Sequence, residues 1–199
     1  MGGFFGAVAA QDCVADLFFG TDYHSHLGTM RGGMAVLSEN GFQRAIHDIS
    51  NAQFRSKFED DFKTFEGKSG LGVISDNEDQ PLIISSHLGL YAIVTVGVVT
   101  NLNLLVNEMF KRNSVQFSEM SRGGVNPTEL VATLINSQET LEEGVRYAQS
   151  KIEGSCSILI LTDAGVLYAV RDRFGRTPVV IGMKQDALAV AMETCCFAN

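Results

Sequence analysis

The sequence predicts an α+β domain of layered sheets and helices. Strand patterns open the chain, two consecutive helix patterns fall beyond its midpoint, and the last third is strand and turn. The final strands are joined by short turns, which suit antiparallel neighbours, because a parallel crossover needs about a dozen residues or more. Aliphatic runs such as Ser157–Leu161 and Val179–Ile181 suit strands buried on both faces, and helices are the cover available.

Phe4–Ala9 reads as a short apolar strand that begins almost at the first residue. Gly32–Leu37 and Phe42–Ile46 read as strands around a turn at Glu39–Asn40–Gly41. Phe54, Phe58, Phe62 and Phe65 recur at helical spacing, with Lys57, Glu59, Asp60 and Lys63 on the opposite side, which predicts one amphipathic helix ending at Gly67. Gly70–Ile74, Leu82–Ser85 and Tyr91–Val99 are strand-like. Asn101 is placed to cap a helix running to about Arg112. Asn126-Pro-Thr-Glu129 is a helix start, with Asn as cap, Pro at the first helical position and Glu three residues after the cap. Thr140-Leu-Glu-Glu143 repeats that pattern for a helix through about Ile152. Ser155–Leu161 with Val166–Arg171, and Arg176–Gly182 with Ala187–Met192, form two hairpins.

With 199 residues, 45% hydrophobic and 19% charged, the chain suits one domain with a real core, and there is no repeat or linker. A formal net charge of −8 and the absence of a Lys/Arg cluster beyond the pair Lys111–Arg112 argue against nucleic acid. No run approaches the roughly 18 apolar residues that span a bilayer. Four cysteines (Cys13, Cys156, Cys195 and Cys196) fit neither a zinc site nor a disulfide framework. With no signal peptide, and with Gly6 where a myristoylation motif wants Ser or Thr, cytoplasm is the expected location. His24 and His26 stand two apart, as metal ligands can, but no cysteine or carboxylate cluster completes a site; no metal and no cofactor are expected.

Three stretches carry a family resemblance. Gly154–Asp163 followed by Val166-Leu-Tyr-Ala-Val-Arg-Asp-Arg-Phe-Gly-Arg-Thr-Pro-Val-Val-Ile-Gly182 is similar to G-x-x-S-x-x-x-L and Y-A-x-R-D-P-x-G-x-R-P-L-x-I-G. Glu193-Thr-Cys-Cys-Phe197 is similar to S-E-[ST]-C-A-F, and Gly2-Gly-Phe-Phe-Gly6 to C-G-[IV]-F-G. The chain thus resembles the class II glutamine amidotransferase domain of the amidophosphoribosyltransferase type over residues 1–199. The resemblance implies a four-layer αββα sandwich of two antiparallel sheets, the N-terminal-nucleophile hydrolase fold. It implies release of ammonia from glutamine by an N-terminal cysteine whose α-amine is the base. It also implies a phosphoribosyltransferase domain after residue 199, which would make this chain part of a longer protein; that domain or a second copy is the expected partner.

The resemblance also locates substitutions. Gly2 stands at the nucleophile's position, with nothing for a base to activate. In Gly70-Leu-Gly-Val-Ile-Ser-Asp76, Val73 replaces the family His and Ser75 the carboxylate-binding Arg, while Gly70 and Gly72 match; Glu78-Asp-Gln-Pro81 stands for N-A-Q-P. In Ala92–Gly97, Val96 replaces the oxyanion Asn and Thr95 a His, while Gly97 is kept. Pro127 replaces the amine-binding Asp of S-D-[ST]-E. In His26–Gly33, Leu27 replaces an Arg, and Arg31, at a family Ser, is a candidate anion contact. The reading is therefore a domain with no catalytic residues, serving as scaffold or regulator. The alternatives are an active amidotransferase with a rearranged site, for which Cys13 is a weak nucleophile candidate, and a module that reuses the cleft for another metabolite.

Overall fold

In the computed structural model, residues 2–111, 116–118, 120–121 and 123–198 are described. The elements in order are β1 (Gly2–Ala9), α1 (Val14–Asp22), β2 (Arg31–Ser38), β3 (Gly41–Asp48), α2 (Phe54–Lys57), α3 (Glu59–Thr64), β4 (Ser69–Ser75), β5 (Leu82–Ser86), β6 (Gly89–Val99), α4 (Leu102–Lys111), β7 (Met120–Ser121), β8 (Gly124–Val125), α5 (Pro127–Ile135), α6 (Leu141–Lys151), β9 (Gly154–Thr162), β10 (Leu167–Val170), β11 (Val180–Lys184) and β12 (Ala187–Ala191), then a 3-10 turn at Thr194–Phe197. One sheet runs β11-β12-β1-β4-β2-β3, a second β10-β9-β6-β5, and β7 and β8 form a small pair. Every pairing is antiparallel.

The alternation of strand side chains sorts the residues into layers. Phe4, Leu71, Val73, Ala92, Val94, Val96, Leu159 and Leu161 point between the sheets. Phe5, Ala7, Met34, Val36 and Ile74 point out from the six-stranded sheet, against Val14, Leu17 and Phe18 of α1 and against Phe54 and Phe58. Tyr91, Ile93, Ile158 and Ile160 point out from the four-stranded sheet, against Leu105, Leu130, Val131, Leu134 and Ala148 of α4 to α6. Helix, sheet, sheet and helix are the four layers. Gly70 and Gly72 let α1 lie close on β4, where added Cβ atoms would sit 2.6 Å from Leu17 Cδ2 and 2.0 Å from Thr21 Oγ1.

Four local expectations differ from the structure. The phenylalanine repeat is two short helices: Phe58 leaves helical geometry at φ −102°, ψ 10°, stacks on Phe54 with ring centroids 4.3 Å apart, and Phe65 is extended. Asn101 ties the start of α4 to the end of α6, its side chain donating to the Lys151 carbonyl and accepting from Glu153 N–H. Arg176–Gly182 is strand only from Val180, because its first residues belong to a hydrogen-bonded loop. Helix α1 was not expected at all. It has no sharp polar face to betray it, and its start is held by Asp12, which accepts from Val14 N–H. Arg112 lies outside the described residues.

Candidate functional site

Register places the substituted positions side by side. Gly2 on β1 pairs with Ser75 on β4, Ser75 pairs with Arg31 on β2, and Arg31 pairs with Asp48 on β3, so one row crosses four strands at one end of the large sheet. Gly2 is buried, and a Cβ added to it would lie 2.3 Å from the Ile74 carbonyl oxygen, well inside contact distance.

Each remaining member of the row is satisfied by its neighbours. The Ser75 hydroxyl donates to Glu78 Oε2 (2.8 Å) and accepts from the N–H groups of Asn77 and Glu78, a tight local turn. Arg31 pairs with both Asp48 and Asp79. The Ser50 hydroxyl and N–H, then Arg31, hold the Asp48 carboxyl down at about 2.

The second wall comes from β6 and the start of α5. Val96 is an interior strand residue in the core between the sheets. Gly97 has φ +150°, and a Cβ there would lie 2.1 Å from the Ser155 carbonyl oxygen, so glycine is required by the backbone alone. The buried Gln80 amide brackets Thr95: its Oε1 accepts from Thr95 N–H at 2.7 Å and its Nε2 donates to the Thr95 carbonyl. The Thr95 and Thr128 hydroxyls share a 2.7 Å hydrogen bond. Asn126 caps α5 by accepting from Thr128 N–H. Glu129 does not close a capping box, because its carboxylate accepts from the N–H and hydroxyl of Ser118. Between these walls lies an open cleft of about 350 Å³ lined by Asn77, Glu78, Gly97, Val98, Val125 and Pro127, with Cys156 beside them.

The other candidates lie elsewhere. His24 is fully buried; its Nδ1 donates to the Gly20 carbonyl and its Nε2 accepts from Met192 N–H, and burial lowers its pKa. His26 is exposed and pairs with Glu193 at 2.9 Å. No group of three or more His, Cys, Asp or Glu among the described residues is placed to hold a metal ion. Leu27 is half-buried in the turn after α1. Burial pushes the thiols of Cys13, Cys156 and Cys196 up to about 12, which removes their nucleophilic form at neutral pH. Cys195 is exposed.

The longest matching stretch, by contrast, forms a braced loop. Asp172 retains only 4% of its surface and accepts from Phe174 N–H, Thr177 N–H and the Thr177 hydroxyl. Its own N–H donates to Ser157 Oγ, which also bonds the Thr177 hydroxyl. Arg171 donates to the carbonyls of Gly175 and Thr177. Sequence alone marked this stretch as family-like; it did not reveal Gln80 as a brace, although Gln80-Pro81 was already legible as a kept dipeptide.

Two face-to-face antiparallel sheets, with β1 inside the larger one and helices on both outer faces, define the N-terminal-nucleophile class of amidotransferase fold. The chain belongs to the glutamine amidotransferase domain family, which matches residues 69–199. It is similar to the amidophosphoribosyltransferase of Bacillus subtilis (strain 168), with 24% identity over 206 residues, 98% of this chain and 41% of the relative. The Archaeoglobus fulgidus amidophosphoribosyltransferase is 25% identical over 183 residues, 85% of this chain and 38% of that protein. Among solved structures, the glutamine phosphoribosylpyrophosphate amidotransferase from B. subtilis complexed with ADP and GMP superposes with TM-score 0.83 at 23% identity, covering 98% of this chain and 43% of that one. A glutamine aminotransferase class-II domain protein from Silicibacter pomeroyi gives TM-score 0.62 at 12% identity, over 96% and 86% of the two chains. The solved structures share the fold with this chain, which spans about two fifths of the length of these amidophosphoribosyltransferases.

Proposed function

We propose that this domain does not cleave glutamine and acts as a structural or regulatory partner of a phosphoribosyltransferase-type half, in the cytoplasm and without cofactor. The observation that carries the reading is Gly2. It has no thiol or hydroxyl, and a Cβ there would lie 2.3 Å from the Ile74 carbonyl oxygen, so a side chain would require the backbone to shift. Losing a covalent nucleophile lowers kcat on the order of a millionfold, and an oxyanion donor missing at Val96 lowers it by roughly another hundred- to thousandfold where the two act independently. Ser75 cannot replace the bidentate grip of an arginine, and Pro127 has neither charge nor N–H. The partner half is supported by the relatives, which are amidophosphoribosyltransferases more than twice as long as this chain.

Ammonia release from glutamine by the purified protein tests this reading. We expect background rates, and background again for Gly2→Cys, since the new Cβ meets the Ile74 carbonyl and neither Ser75 nor Pro127 can clamp the substrate. Turnover above background, or a covalent adduct on the unmodified chain after treatment with a glutamine-analogue electrophile, overturns it.

A further inference from the structure

We propose that the cleft beside Gly97 is a binding site for a primary alkylammonium group on an apolar stem, a ligand without a carboxylate. The inference rests on the loss of glutamine cleavage and asks what the vacated cleft now suits.

Its chemistry is one-sided. Among the described lining residues Glu78 is the only charged side chain, and the rest of the wall is mostly apolar: Val98, Val99, Leu102, Val125 and Pro127. Glu78 is half-buried, and Ser75 fixes its Oε2 from behind; Oε1 has no partner among the described residues. An ammonium group carries three donors and suits such an oxygen, while its stem suits the valines. The cleft's volume, about 350 Å³, lies at the lower end of the range of ligand cavities, roughly 300–1,000 Å³.

The groups facing the cleft from other elements agree with this sign. Cys156 on β9 lines it, and after burial the two influences that raise its pKa are the charges of Glu78 and Asp172. The start of α5 offers an anion little: Pro127 has no N–H, and the Thr128 N–H is taken by Asn126. The Thr95 hydroxyl is committed to Thr128. Arg31 faces Asp48 and Asp79 instead. Among the described residues, a carboxylate ligand entering here would meet Glu78 and no lining cation.

The test is calorimetric titration of the 199-residue protein at pH 7 with n-pentylammonium, pentanoate, pentanamide and glutamine, with ammonia release from glutamine followed in parallel. We expect saturable binding of n-pentylammonium alone. Glu78→Gln, which keeps shape and a hydrogen bond to Ser75, should weaken it about tenfold or more. Val98→Arg, at a position already 58% exposed, should place a cation beside Glu78, abolish amine binding and admit pentanoate. Absence of saturable n-pentylammonium binding, equal binding of pentanoate or pentanamide, or amine binding unchanged in both variants overturns the proposal. Glutamine turnover would instead overturn the functional reading beneath it, so the two failures are distinguishable.

Discussion

The loop from Arg171 to Thr177 and the row from Gly2 to Arg31 both lie in stretches similar to the amidotransferase family, and they have fared differently. In the loop, the family-like residues hold backbone. Asp172 accepts three hydrogen bonds, Ser157 and Thr177 lock to each other, and Arg171 spans two carbonyls. In the row, the resemblance implies residues that face a ligand, and the residues present pair locally among the described residues: Ser75 with Glu78, Arg31 with Asp48 and Asp79. A side chain that satisfies buried backbone cannot be exchanged without leaving polar groups unpaired. One that served only a ligand can be exchanged once the ligand is gone.

The largest effect should come from Asp172→Ala. It strands two N–H groups and a hydroxyl in a buried loop, and each unsatisfied group costs about 1–3 kcal/mol. A loss of about 3 kcal/mol is expected in urea unfolding. The folded-state pKa of Asp172 is below its ordinary value: burial raises it, but the donors from Thr177, Phe174 and Arg176 outweigh that. Its stabilisation is therefore present above the unfolded carboxylate pKa, near 4, and is lost as pH falls through the lower folded value. In Asp172→Ala that acid-side decline should be absent. A variant as stable as the parent would break the comparison, because the loop would then owe its form to something other than this carboxylate.

Gln80→Leu should come next, at about 2 kcal/mol, since it leaves the N–H and carbonyl of Thr95 unpaired in a buried strand. It sharpens the contrast because Gln80 sits beside the row yet behaves like the loop. Amide hydrogen exchange at Thr95 should accelerate more than exchange in β9. Equal acceleration across the four-stranded sheet would mean that Gln80 stabilises the fold generally and does not brace this strand.

Most strands were legible in the sequence because alternation and turn chemistry are local: Glu39–Gly41 marked the first hairpin, and Asn126 and Thr140 marked two helix starts that do cap as expected. Helix α1 was not legible, since its exposed positions Ala15 and Phe19 are apolar and leave no polar stripe to identify it. The phenylalanine repeat misled for the opposite reason. Its spacing was helical, but Phe58 adopts φ −102°, ψ 10° between two short helices, a local backbone departure that side-chain spacing does not report. At the site, the sequence could show which residues were absent. It could not show that a Cβ on Gly2 would meet the Ile74 carbonyl, that Arg31 faces two carboxylates, or that Glu78 is the only charged side chain among the described lining residues of the cleft, because all three depend on contacts between segments distant in the chain.

The smallest effect belongs to Arg31→Gln. Arg31 lies at the rim, 36% exposed, and its partners Asp48 and Asp79 are more exposed still, so solvent screens both pairs. Of the groups holding the Asp48 carboxyl at about 2, Ser50 contributes first, through both hydroxyl and N–H, and Arg31 follows. Removing the guanidinium should raise the Asp48 pKa only part of the way toward its ordinary value near 4, with the Ser50 hydrogen bonds keeping it depressed. Carboxyl chemical shifts followed by NMR titration read this directly. Whatever stabilisation the pairing gives is complete above pH 4 and fades as pH falls toward 2, so the variant and the parent should differ at neutral pH and converge in acid. A return of Asp48 to its ordinary pKa would mean that Arg31, not the Ser50 turn, organises this end of the row, and that the row keeps a cation whose role is more than local neutralisation.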